Sequence, residues 1–154
     1  MINLNKTIHF ILIFLIANYS HIKLGISDEL PLISCNKYLN STAALYGLWT
    51  AELTQTAQTP TQTQTATLQF EKHPELANSV SGGVNRDGQI SQAAGDVDDG
   101  SFTLEESSDG KTISAVWDGE MQPGSCGKEI KGAWTDQRNG QIWQFVLRKV
   151  PGWN

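Results

Sequence analysis

The chain has 154 residues, with 11 Lys and Arg against 16 Asp and Glu, five Trp and only two cysteines. Without the first 27 residues, which carry Lys6 and Lys23, 9 cations face 16 acids, a charge near −7. Such an excess of acid is unfavourable for non-specific nucleic-acid binding and adhesion to anionic membranes, both driven by basic patches, and it leaves a cationic partner or plain solubility as its meaning.

The amino terminus reads as an export signal over residues 1–27. Lys6 supplies a positive start, and Ile8 to Ala17 is an apolar run broken only by His9. That run is about half of the ~20 residues a membrane-spanning helix needs, so a signal peptide is expected and a transmembrane anchor is not. Gly25-Ile26-Ser27 offers small residues for cleavage before Asp28. Residues 28–44 then form an extension carrying Cys35, and residues 45–154 are long enough for one domain with one core. Leu32-Ile33-Ser34-Cys35 resembles the lipobox of bacterial lipoproteins, whose cysteine carries a lipid anchor; that use of Cys35 would leave Cys126 unpaired. Two cysteines in an exported chain favour a Cys35–Cys126 disulfide instead. The expected location is secreted or periplasmic.

Leu45 to Leu53 is the first expected strand, with Leu45, Gly47, Trp49, Ala51 and Leu53 on one face. Thr54 to Thr65 is a Thr/Gln tract with no hydrophobic period and reads as a long mobile loop with frayed strand ends. Thr67–Glu71 resumes as a strand, followed by strands at Ser79–Asn85, Gln89–Val97, Ser101–Glu105, Lys111–Trp117, Lys128–Thr135 and Gln141–Lys149. Asp87-Gly88, Asp99-Gly100 and Asp109-Gly110 punctuate them, and Asp-Gly favours the positive backbone angles of tight hairpins. Ile113, Ala115 and Trp117 share a face, as do Ile130, Gly132 and Trp134, then Trp143, Phe145 and Leu147. Nothing has a helical period. The fold class is therefore all-β: a single antiparallel up-and-down barrel of about eight strands, because closure removes exposed edges. A two-sheet β-sandwich is the alternative.

An eight-stranded barrel is just wide enough for side chains to fill or for one small ligand. Trp49, Trp117 and Trp134 fall on inward faces, where they either plug the barrel or line an apolar pocket. Gly47-Leu48-Trp49 on the first strand resembles the calycin superfamily, which includes lipocalins and avidins. That resemblance implies a Trp across one end of the barrel with an Arg from a late strand over its ring, a part Arg148 would take.

The acidic run Asp96-Val97-Asp98-Asp99, with Glu106 beyond it, invites a calcium reading. Hairpin turns are the competing explanation, because Asp bonds its own backbone there. Catalysis finds little support. His73 is the only histidine after residue 27, no Gly-x-Ser-x-Gly elbow is present, and no cofactor motif appears. The expectation is a non-enzymatic binding protein that holds a small apolar or aromatic ligand against Trp49, Trp117, Trp134 and Arg148, with no cofactor. Two alternatives stand beside it: a solid barrel whose acidic loops meet a basic protein partner, as an inhibitor or host-directed factor, and a structural envelope protein.

Overall fold

A computed structural model describes residues 35–55 and 60–152. The expected signal peptide, the part of the extension before Cys35, and Trp153 lie outside them. The eight strands are β1 (Gly47–Gln55), β2 (Gln62–Lys72), β3 (Val80–Arg86), β4 (Gln89–Asp98), β5 (Ser101–Ser107), β6 (Ala115–Met121), β7 (Glu129–Asp136) and β8 (Ile142–Lys149). Each pairs antiparallel with its neighbour in sequence, and β8 returns to β1 to close the barrel. The sandwich alternative is thereby excluded.

Two of the Asp-Gly turns are two-residue hairpins with both central residues at positive φ, 52° and 82° at Asp87-Gly88 and 46° and 85° at Asp99-Gly100. That geometry matches the right-handed strand twist. The third differs. Asp109 Oδ1 accepts from the backbone N–H of Lys111 and of Thr112, each at 2.8 Å, and winds a longer loop. The sixth strand consequently starts at Ala115 rather than Lys111, and Ile113 is exposed.

Among the described residues of the Thr/Gln tract, strand reaches further than the frayed ends expected, covering Thr54, Gln55 and Gln62 to Thr65. Thr54 pairs with Thr63, and Gln55 with Gln62. Thr is a good strand former, and β1 is flanked on its other side by β8, as in the pairing of Thr54 with Gln144. The tract's register thus comes from its neighbours, not from a hydrophobic period of its own.

Alternation places Trp49, Leu53, Leu68, Val84, Phe102, Leu104, Trp117, Ile130, Phe145 and Leu147 inside, each 2 % exposed or less. Phe145 makes edge-to-face contacts with Trp117 at 5.1 Å and Phe102 at 6.4 Å between centroids. Room for these rings comes from inward positions occupied by glycine. Gly119 pairs with Gly132, and a Cβ on Gly119 would meet the Phe145 ring at 2.8 Å.

One end of the barrel, here the base, is sealed by two 3-10 turns, Asn36–Tyr38 and Thr42–Leu45. Leu45 is wholly buried, and the Trp49 indole N–H donates to its carbonyl at 2.7 Å. Lys149 Nζ donates to the Ala44 carbonyl at 2.7 Å. Burial, with the charge of Lys128 adding to it, pushes that amine below the ordinary lysine range. Cys35 and Cys126 form the expected disulfide, which ties this cap to the β6–β7 loop.

Candidate functional site

At the opposite end, the mouth, the inward stripes change chemistry. β3 runs Val80, Gly82, Val84 and then Arg86; β5 runs Phe102, Leu104 and then Glu106. A charge in the apolar phase of a strand has to find a partner inside. The Glu106 side chain is only 4 % exposed and pairs with Arg86 at 3.1 Å. The same oxygen, Oε2, accepts the indole N–H of Trp117 at 3.1 Å and of Trp134 at 3.2 Å. The guanidinium lies 4.8 Å from the Trp134 ring centroid and 6.0 Å from that of Trp117, within cation–π reach. Arg86 Nε is buried with no hydrogen-bond partner among the described residues. Beside this cluster, Asp136 is held by Arg138 through bonds of 3.1 and 2.8 Å, which lower its carboxyl below the usual range.

Above Arg86 opens a recess of about 230 Å³ lined by Gln64, Arg86, Asp87, Gln89 and Ser91. Gln64 pairs with Leu53, and Gln89 with Arg86, so both belong to the inward stripes although they are exposed. The recess lies at the mouth, on its β2–β4 side. Two larger grooves of about 490 Å³ run along the outer wall, and neither is lined by Arg86 or by an indole.

The expected ligand residues are divided by the fold. Trp117 and Trp134 come together 6.5 Å apart at the mouth, whereas Trp49 sits at the base beneath the cap. Trp49 and Trp117 are inaccessible to solvent, so among the described residues they fill the interior rather than line a hollow. Arg148 does not cover Trp49. Trp49 pairs with Lys149, so Lys149 shares its inward face and lies 5.7 Å from its ring centroid. Arg148, one residue earlier, points outward to Glu129 at 3.2 Å.

The calcium candidates are likewise separated. Asp96 and Asp98 face outward on β4, Asp99 lies in the turn at the base end, and Glu106 is inside at the mouth end of β5. No group of three or more potential ligands is assembled among the described residues. His73 lies in the β2–β3 loop at the base, its Nδ1 accepting the backbone N–H of Glu75 and Leu76 at 3.1 and 2.9 Å. It organises a turn.

Sequence reasoning missed Arg86 and Glu106 as a pair. The signal was present, since each continues an apolar period-two stripe with a charge, and the two charges have opposite sign.

No protein-family model matches the chain, and no curated protein matches it. Among solved structures it is similar to a redesigned β-barrel, with TM-score 0.50 and 14 % identity over 72 % of this chain and 96 % of that one. At that identity the likeness concerns the fold alone.

Proposed function

We propose that the chain is an exported, non-enzymatic binding protein whose working surface is the mouth of a filled barrel. The observation that carries this reading is the Arg86–Glu106–Trp117–Trp134 cluster, whose Arg86 also lines a solvent-facing recess. A buried ion pair is weak support for stability, because desolvation offsets most of its attraction. Polar and strained arrangements that stability alone does not favour concentrate at functional sites. Ligand capture at the end of a barrel is also how the calycin-like analogy would operate, here with a polar recess in place of a deep apolar one. Both cysteines are paired, which suits an oxidising compartment outside the cytoplasm.

The test is a screen of small molecules against the disulfide-bonded chain, read by the indole N–H resonances. Ligands should move Trp117 and Trp134 and leave Trp49 in place. Binding that moves Trp49 alone, or that persists unchanged in Arg86→Lys, refutes a mouth site.

A second reading rests on the outer wall. Asp96 lies beside Thr103, itself beside Asp118, and Asp98 beside Ser101, itself beside Glu120. None of these acids has an ion-pair partner among the described residues. Such a face suits a basic protein partner and would speed encounter at low salt. An association rate indifferent to ionic strength would rule that partner out.

A further inference from the structure

The mouth recess holds charges of both signs on adjacent residues. Arg86 ends β3 facing inward, and Asp87 opens the turn at the rim; Gln64, Gln89 and Ser91 complete the lining. The last three are neutral, and each both donates and accepts hydrogen bonds. Among the described residues, no apolar side chain lines the recess. We infer that this recess takes a small zwitterion, a molecule with an ammonium and a carboxylate a few atoms apart, of which α-amino acids are the simplest class. The inference rests on the mouth reading above and names its ligand chemistry.

Two unspent groups carry it. Arg86 gives Nη2 to Glu106, yet its side chain is still 21 % exposed and lines the recess. The Asp87 carboxylate has neither an ion-pair nor a hydrogen-bond partner among the described residues. A carboxylate on Arg86 and an ammonium on Asp87 would complete both groups. A monoanion would meet repulsion from Asp87, and a monocation from Arg86, so the pair selects a ligand carrying both charges.

Size sets a second limit. The recess volume of about 230 Å³ equals about eight waters at ~30 Å³ each. A free amino acid or a similarly small betaine fits; a peptide of several residues does not.

The experiment titrates the full disulfide-bonded chain with glycine, proline and γ-aminobutyrate, and with acetate, ethylammonium and acetamide as matched single-charge and neutral probes. Affinity is read by calorimetry, and location by the Trp117 and Trp134 indole resonances. At least one zwitterion should bind about tenfold or more tightly than every matched probe. Asp87→Asn is the decisive variant. Asn is as well suited as Asp to the positive φ of 52° at that turn position, so the fold is retained while the charge goes. It should weaken the zwitterion about tenfold, roughly 1.4 kcal/mol, and leave acetate no weaker.

If acetate or acetamide binds at the mouth as tightly as the zwitterions, or Asp87→Asn changes nothing, the zwitterion is wrong and the mouth site stands. If no zwitterion binds, the inference falls, and the mouth reading is then decided separately by the broader screen.

Discussion

Replacing Glu106 by Ala tests whether the polar cluster at the mouth is as tightly interlocked as its distances imply. The change removes one oxygen that accepts from Arg86 at 3.1 Å, Trp117 at 3.1 Å and Trp134 at 3.2 Å. Removing one partner of a buried ion pair typically costs about 3–5 kcal/mol, because the remaining charge is left uncompensated. Each stranded indole N–H adds a further ~1–3 kcal/mol if no water reaches it. These terms overlap, since one relaxed water can serve several donors, so the expected loss is about 4–6 kcal/mol. Small domains are stable by only ~5–15 kcal/mol; the variant should sit close to unfolding at room temperature. Glu106→Gln keeps a carbonyl oxygen for the indoles and loses only the charge, so about 2–3 kcal/mol is expected, near the worth of one charge-assisted bond. The double change Glu106→Gln with Arg86→Met should cost less than the sum of its parts, with a coupling of about 2 kcal/mol in the range seen for contacting residues. Urea unfolding followed by far-UV circular dichroism measures all five proteins, the wild type, Glu106→Ala, Glu106→Gln, Arg86→Met and the double variant, with the disulfide intact throughout. A loss below about 1 kcal/mol for Glu106→Ala would refute the reasoning, because it would mean that the cluster is hydrated and its hydrogen bonds are replaceable.

Gly132→Ala should cost about 3 kcal/mol or more, since a Cβ there would run into the Asp118 carbonyl and the Gly119 Cα, backbone atoms with no freedom to yield; thermal unfolding reads the loss. Replacing both Cys35 and Cys126 by Ser opens a link across 91 residues of sequence, and the chain-entropy account expects a loss of about 4–5 kcal/mol. Far-UV circular dichroism should still report the barrel, because every ladder is independent of the bridge. Asp109 is held down to about 2, chiefly by the backbone N–H of Thr112 and then that of Lys111. Its folded-state value lies below the ordinary 3.8, so its contribution is present above about pH 4 and is lost as pH falls toward 2. Asp109→Ala should flatten the acid limb of the stability curve over that window and leave neutral-pH mouth chemistry unchanged; an unaltered acid limb would show the turn bonds are not formed.

The barrel was legible because its signals agreed with one another. Val80–Val84, Ile130–Trp134 and Trp143–Leu147 each alternate, and Asp87-Gly88 and Asp99-Gly100 sit where hairpins must reverse. The Thr/Gln tract was illegible for the opposite reason. Polar residues occupy both of its faces near the mouth, so Gln62 and Gln64 carry no mark of pointing inward, and only pairing with β1 sets their phase. The cation over Trp49 was misplaced by one residue. Trp143, Phe145 and Leu147 already fixed the inward phase of β8, and Lys149 continues it where Arg148 cannot. The acidic residues misled differently: nearness in sequence suggested a shared ion, but alternation puts Asp96 and Asp98 outside and Glu106 within. Arg86 and Glu106 stood 20 residues apart, and nothing local to either told which opposite charge it would meet.

The two ends of the barrel argue for where function resides. At the base, polar groups that point inward are answered by the chain itself: Trp49 by the Leu45 carbonyl and Lys149 by that of Ala44. The cap that supplies those carbonyls is fastened by a disulfide and by the Gly100 N–H donating to the Leu39 carbonyl. Such closure favours stability and admits nothing. At the mouth, by contrast, the inward stripes of β2, β3 and β4 carry Gln64, Arg86 and Gln89 rather than more apolar side chains, and the buried Arg86 Nε has no partner among the described residues. A sequence under pressure only to fold could have ended β3 and β5 as it began them, with residues like Val80 and Phe102; replacing a buried ion pair by apolar groups of similar volume is often neutral or stabilising. The asymmetry between a self-satisfied base and an unfinished mouth is therefore what directs the search for a ligand to Arg86 and Asp87, rather than to the five tryptophans that first attract notice.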